Sequence, residues 1–134
     1  MKISMEEWLF LDTQPGATSL YEALRQAIKH VEPDAVIEVK KTQISFKNPL
    51  LFAAVSFLPV LKKAARPDPF ITLTLGLFHP LESPRVSVQT EPYTNRWTVH
   101  IILGSTTEID DELLSWIAEA AACARMKKKK ARTS

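Results

Sequence analysis

Apolar residues recur at steps of three and four near both ends of the chain and at steps of two between them. The first period belongs to helices, the second to strands. Ser4-Met5-Glu6-Glu7 has the spacing of a capping box, with Ser4 as N-cap and Glu7 reaching back to it, and predicts a helical turn through Phe10. A second helix is expected to begin near Pro15, where a missing N–H costs nothing. Its stripe is Ala17, Leu20, Tyr21, Leu24, Ile28 and Val31, and Pro33 ends it. A second capping box, Ser105 with Glu108, predicts the closing helix, and Glu108, Asp110, Asp111 and Glu112 suit the positive end of its dipole. Ile109, Leu113, Trp116, Ile117, Ala120 and Ala124 form its apolar stripe.

Strands are predicted over 35–40, 41–47, 50–57, 70–78, 84–90 and 96–103. Residues 50–57 are apolar almost throughout, which predicts a central strand buried on both faces between Pro49 and Pro59. The others alternate. Ile71, Leu73, Leu75 and Leu77 oppose Thr72, Thr74 and Gly76; Trp97, Val99, Ile101 and Leu103 oppose Thr98 and His100. In 84–90, Val86 and Val88 are read as inward, with Arg85, Ser87 and Gln89 outward. A loop over 58–68 carries Lys62, Lys63 and Arg66. Runs of strands flanked by helices indicate an α+β fold, a mainly antiparallel sheet of about five to six strands with N- and C-terminal helices packed on one face. The other face should gather short polar side chains, Gln43, Ser45, Thr72, Thr74, Ser87, Gln89, Thr98 and His100.

Composition narrows the function classes. The three glycines are isolated, so neither a glycine-rich phosphate loop nor a Gly-x-Ser-x-Gly elbow can be written. A single cysteine, Cys123, excludes an intrachain disulfide and any multi-cysteine zinc site. No pair of histidines has helical ligand spacing, so no metal and no cofactor is expected. Residues 1–126 read as one domain and 127–134 as a basic, disordered tail. Residues 125–134 hold six of the 17 basic residues, which leaves 11 against 15 acidic residues in 1–124. The basic balance belongs to the tail, and nucleic acid is expected as a partner only through it. The start lacks an apolar h-region and no stretch is long enough to cross a bilayer, so a cytoplasmic protein without membrane insertion is expected.

Several stretches taken together carry a resemblance. They are Glu6-Glu7-Trp8-Leu9-Phe10, Leu20-Tyr21-Glu22-Ala23-Leu24, Lys41-Thr42-Gln43-Ile44-Ser45-Phe46, Ser83-Pro84-Arg85, Arg96-Trp97-Thr98-Val99-His100, and Glu108-Ile109-Asp110-Asp111-Glu112 with Trp116. In this order the chain resembles the bacterial domain of unknown function 5655 family over about residues 5–124. The resemblance implies a small α+β domain and no particular activity. It also implies a second histidine beside His100, where this chain has Ile101, and that argues against a two-histidine mechanism. At fold level the chain is also similar to frataxin-like iron chaperones, whose acidic ridge lies around the first helix. Here that helix carries Glu22 among Arg25, Lys29 and His30.

Three readings of function follow. The first is a non-catalytic binding module holding a small or extended anionic ligand on the polar sheet face, with Lys41, Gln43, Arg85, Arg96 and His100 as contacts. Arginine suits bidentate recognition of carboxylate or phosphate. The second is an enzyme using His100 as acid–base, with Ser45 or Thr98 nearby. A buried acid partner for His100 would favour it. The third is a nucleic-acid-associated accessory protein acting through the tail.

Overall fold

In the computed structural model residues 3–59, 67 and 69–133 are described, with side chains as far as Met126. Helix α1 spans Met5–Leu11, and both bonds of the Ser4–Glu7 capping box form. A 3-10 turn at Pro15–Ala17 leads into α2, Thr18–Val31. The strands are β1 Val36–Val39, β2 Ile44–Lys47, β3 Leu51–Ser56, β4 Ile71–Leu77, β5 Val88–Tyr93 and β6 Arg96–Leu103. They form one sheet in the order β1-β2-β3-β4-β6-β5, with every neighbouring pair antiparallel. The fold is therefore α+β, with two α-helices before the sheet in sequence and one after it. Most of the 58–68 loop, including Lys62, Lys63 and Arg66, lies outside the described residues.

Register decides which side chains the helices cover. Val39, Ile44, Val55, Leu73, Ile101 lie on one row across the sheet, and Ile37, Phe46, Ala53, Leu75, Val99 on the next. These residues pack with Leu20, Tyr21, Leu24 and Ile28 of α2 and with the apolar stripe of the last helix in a single core. Ala54 and Ile102, buried on the reverse face, stand outside that core. At β2–β3 the pairing skips Phe52, and both Phe52 and Ala53 join the core, as a bulge allows. β3 is central, as its apolar run predicts, and is buried at every residue but Leu51.

Two boundaries differ from the sequence pattern. The Ser105–Glu108 capping box forms, but it closes a 3-10 turn at Thr106–Glu108. Helix α3 starts afresh at Asp111, where the Leu113 N–H donates to Asp110 Oδ1 at 3.0 Å. α3 then runs to Thr133, so helical backbone continues through the basic run that the pattern leaves outside the fold. Alanine, lysine and arginine are good helix formers, and cations suit the negative end of the dipole.

The second difference is β5. Residues 83–87 form a turn, closed by the Val86 N–H to Ser83 O at 3.2 Å, and the strand begins only at Val88. Val88 then opposes His100 and Gln89 opposes Val99. That is the reverse of the predicted facing, because a one-residue slip moves every side chain across the sheet. Gln89 turns to the helix side and brackets Leu81, accepting from its N–H at 2.9 Å and donating to its carbonyl at 3.0 Å.

Candidate functional site

The reverse face of the sheet is built from short side chains. One row runs Ser45, Ala54, Thr74, His100, Val88, and the next Gly76, Thr98, Thr90. Part of this face is closed. Ser45, Ser56 and Thr72 are buried, and their hydroxyls are used within the protein. Gln43 donates to Ser45 Oγ at 2.9 Å, Thr72 Oγ1 donates to the Leu58 carbonyl at 2.7 Å, and Ser56 Oγ accepts from the Leu58 N–H at 3.2 Å.

What stays open is the stretch from Thr74 to the β5–β6 turn. A cleft of about 190 Å³ lies over Ala54, Thr74, Gly76 and Thr98, with the half-exposed Leu51 at its side. It adjoins a wider cleft of about 520 Å³, lined by Gly76, Thr98, Arg96 and by Pro92, Tyr93 and Thr94 of the hairpin. Small residues make the floor, because anything larger at Gly76 or Thr98 would fill it. Asn95, the turn residue behind the cleft, takes a positive φ of 59°, which asparagine tolerates better than most side chains.

His100 and Arg96 are the two nominated residues on the open part of this face. Thr74 Oγ1 lies 2.9 Å from His100 Nδ1. Burial pulls the imidazole below its ordinary range, and no carboxylate bonds to it among the described residues. Burial thus favours the neutral form of the imidazole. The guanidinium of Arg96 lies 4.9 Å from the centre of the Phe78 ring. Its Nη1 is buried with no hydrogen-bond partner among the described residues.

The other three nominated contacts lie outside this open stretch. Gln43 is on the same face but in its closed part, where it donates to Ser45 Oγ. Lys41 sits in the β1–β2 turn and lines a separate groove against α1. Arg85 belongs to the 83–87 turn and reaches the start of α3. Its Nη1 bonds Asp110 at 2.9 Å and Glu112 at 3.0 Å, its Nη2 donates to the Glu108 carbonyl, and its Cζ lies 5.5 Å from the Trp116 ring centre. The acids of the α3 N-terminus thus serve the helix dipole and Arg85 together. No group of three metal-ligating side chains occurs among the described residues.

One charged cluster carries no motif. Glu7 is buried beneath α1, where it accepts from Tyr21 Oη and from Arg25 Nε at 2.8 Å and Nη2 at 3.3 Å. Burial alone would raise the Glu7 carboxyl, but the hydrogen bonds from Arg25, Ser4 and Tyr21 outweigh it and hold the group below its ordinary range. Burial and the Glu7 carboxylate push the Tyr21 phenol well up. This cluster joins α1 to α2 and opens onto neither cleft.

The architecture is that of a small α+β domain whose antiparallel sheet is covered by helices on one side and cleft on the other. The family model for a domain of unknown function (DUF5655) matches residues 7–121, and the chain belongs to that family. No curated protein and no solved structure matches it, frataxin-like proteins included. No helix among the described residues is long and apolar enough to cross a membrane.

Proposed function

We propose that the protein is a binding module whose cleft beside Arg96, Gly76 and Thr98 takes a small ligand bearing a carboxylate or phosphate. The observation that carries this reading is Arg96, which lines the cleft and whose Nη1 is buried with no hydrogen-bond partner among the described residues. A buried N–H without an acceptor costs about 1–3 kcal/mol, and an anionic ligand would relieve that cost. Tyr93, 76% exposed at the rim, offers a ring for a planar ligand to stack on. His100 and Thr74 add hydroxyl and imidazole groups at the far end of the same face.

The Thr74–His100 contact also supports the enzyme reading, with Thr74 in the place expected for Ser45 or Thr98. Among the described residues no acid orients the imidazole, which weighs towards binding. The nucleic-acid reading rests on tail side chains outside the described residues. The test is a titration of the ¹⁵N-labelled protein with benzoate and with inorganic phosphate. The expected amide shifts centre on Gly76, Tyr93 and Thr98 and disappear in Arg96→Gln. Shifts elsewhere, or unchanged in that variant, would overturn the assignment.

A further inference from the structure

A further recess lies away from the bare face of the sheet. On α1, Glu6, Leu9 and Phe10 stand at i, i+3 and i+4 and share one stripe, which Thr13 extends in the turn just past the helix. Glu7 and Leu11, on the opposite stripe, are buried inward. The outer stripe faces the β1–β2 turn and the Phe57–Leu58 segment across a groove of about 620 Å³. Phe10 and Phe57 stack in it, with ring centres 5.3 Å apart and planes at 22°. Leu9 and Leu58 flank them, 63% and 54% exposed. The volume lies in the range of about 300–1,000 Å³ usual for small-molecule sites.

The rim of the groove carries two lysines. Lys40 and Lys41 stand side by side in the β1–β2 turn, against the single carboxylate of Glu6. Lys40 is engaged by Glu38 at 3.2 Å. Lys41 has no ion-pair partner among the described residues.

We infer that this groove binds an amphiphilic carboxylate, its hydrocarbon part laid on Phe10, Phe57 and Leu9 and its acid group met by Lys41. An uncharged amphiphile would keep the hydrophobic contact and lose the ion pair. A cationic one would meet the lysine rim. The site is independent of the cleft at Arg96, which lies on the bare face of the sheet.

Isothermal titration with decanoate, below its micellar range, tests the inference. The expected result is one decanoate per chain, with decanol weaker by about tenfold or more, as loss of a charge-assisted hydrogen bond predicts. Lys41→Gln should reduce decanoate affinity to that of decanol and leave decanol unchanged. Leu9→Gln, at an exposed position that folding does not need, should weaken both, and Arg96→Gln should weaken neither. Absence of saturable decanoate binding overturns the proposal. So does decanol binding as tightly as decanoate, or insensitivity to Leu9→Gln. Light scattering run alongside covers the other occupant. A dimer that Leu9→Gln dissociates would assign the groove to a second copy of the chain and refute the ligand.

Discussion

Replacing Glu7 by glutamine tests how the first helix is held. The substitution keeps the size of the side chain and an acceptor for the Ser4 N–H, now 2.9 Å from Glu7 Oε1. It removes the charge that faces Arg25, whose side chain is 7% exposed against 2% for Glu7. Arg25 then loses the Glu7 carboxylate, and breaking such a buried pair costs about 3–5 kcal/mol. The retained acceptor places the expected loss near the lower end, about 3 kcal/mol, a large part of the roughly 5–15 kcal/mol by which domains are stable. Urea unfolding at pH 7 measures it as a lower midpoint at constant slope. Arg25→Met added to Glu7→Gln should recover much of the loss, since a packed apolar replacement carries no charge to desolvate. The pH dependence has a definite sign. The Glu7 carboxyl is held below its ordinary value in the folded chain, so the unfolded chain binds the proton more readily. The stabilisation is complete above the unfolded pKa near 4.5 and is lost as pH falls through the folded one. A loss below about 1 kcal/mol at pH 7, or the same acid sensitivity in Glu7→Gln, would refute the reasoning.

Three further outcomes are expected. An NMR titration of the histidine ring protons should place His79 above its ordinary midpoint, through its bond to Glu119, and His100 below, through burial; midpoints in the opposite order would contradict the two environments. Accordingly, any stabilisation from His79 is present below about pH 6.5 and lost as pH rises through its folded pKa, while that from His100 is present above and lost as pH falls. Gly104→Ala should cost about 1–3 kcal/mol in a denaturant melt, because a Cβ there would fall on the Pro67 ring, and a neutral result would mean that the ring moves aside freely. Ending the chain at Met126 should leave the melting curve within about 0.5 kcal/mol, since the residues removed carry no apolar stripe; a loss of several kcal/mol would show that the basic run packs on the body.

The core was legible because its signals are periodic. The stripe of α2 and the alternation of β4 and β6 each repeat often enough to fix a face, and Trp97, Val99 and Ile101 oppose Thr98 and His100 as the pattern requires. β5 was read one residue out of phase because its apparent alternation began inside the 83–87 turn, where side chains do not alternate. Arg85 was assigned to the bare face for the same reason. Its pairing with Asp110 and Glu112 joins residues 25 and 27 positions apart, and no local pattern encodes a contact of that kind. Tyr21 and Arg25 likewise meet Glu7 across a helix–helix junction, so Tyr21 appeared as one more apolar stripe position. The groove could have been found. Glu6, Leu9, Phe10 and Thr13 have helical spacing, but a seven-residue helix offers too few turns for the eye to separate two stripes.

The outermost strands determine how the sheet meets other chains. β1 is four residues long, and Glu38 on it is flanked by Lys40 and Lys47. β5, at the opposite margin, contains Pro92, which has no N–H to donate. A neighbouring strand trying to extend the ladder would bury charge at one margin and find a missing donor at the other. Short, charged or proline-bearing margins are the means by which sheets avoid growing into one another. A six-stranded sheet rich in valine, isoleucine and leucine can therefore stay finite at high concentration, although none of the described helices covers its second side.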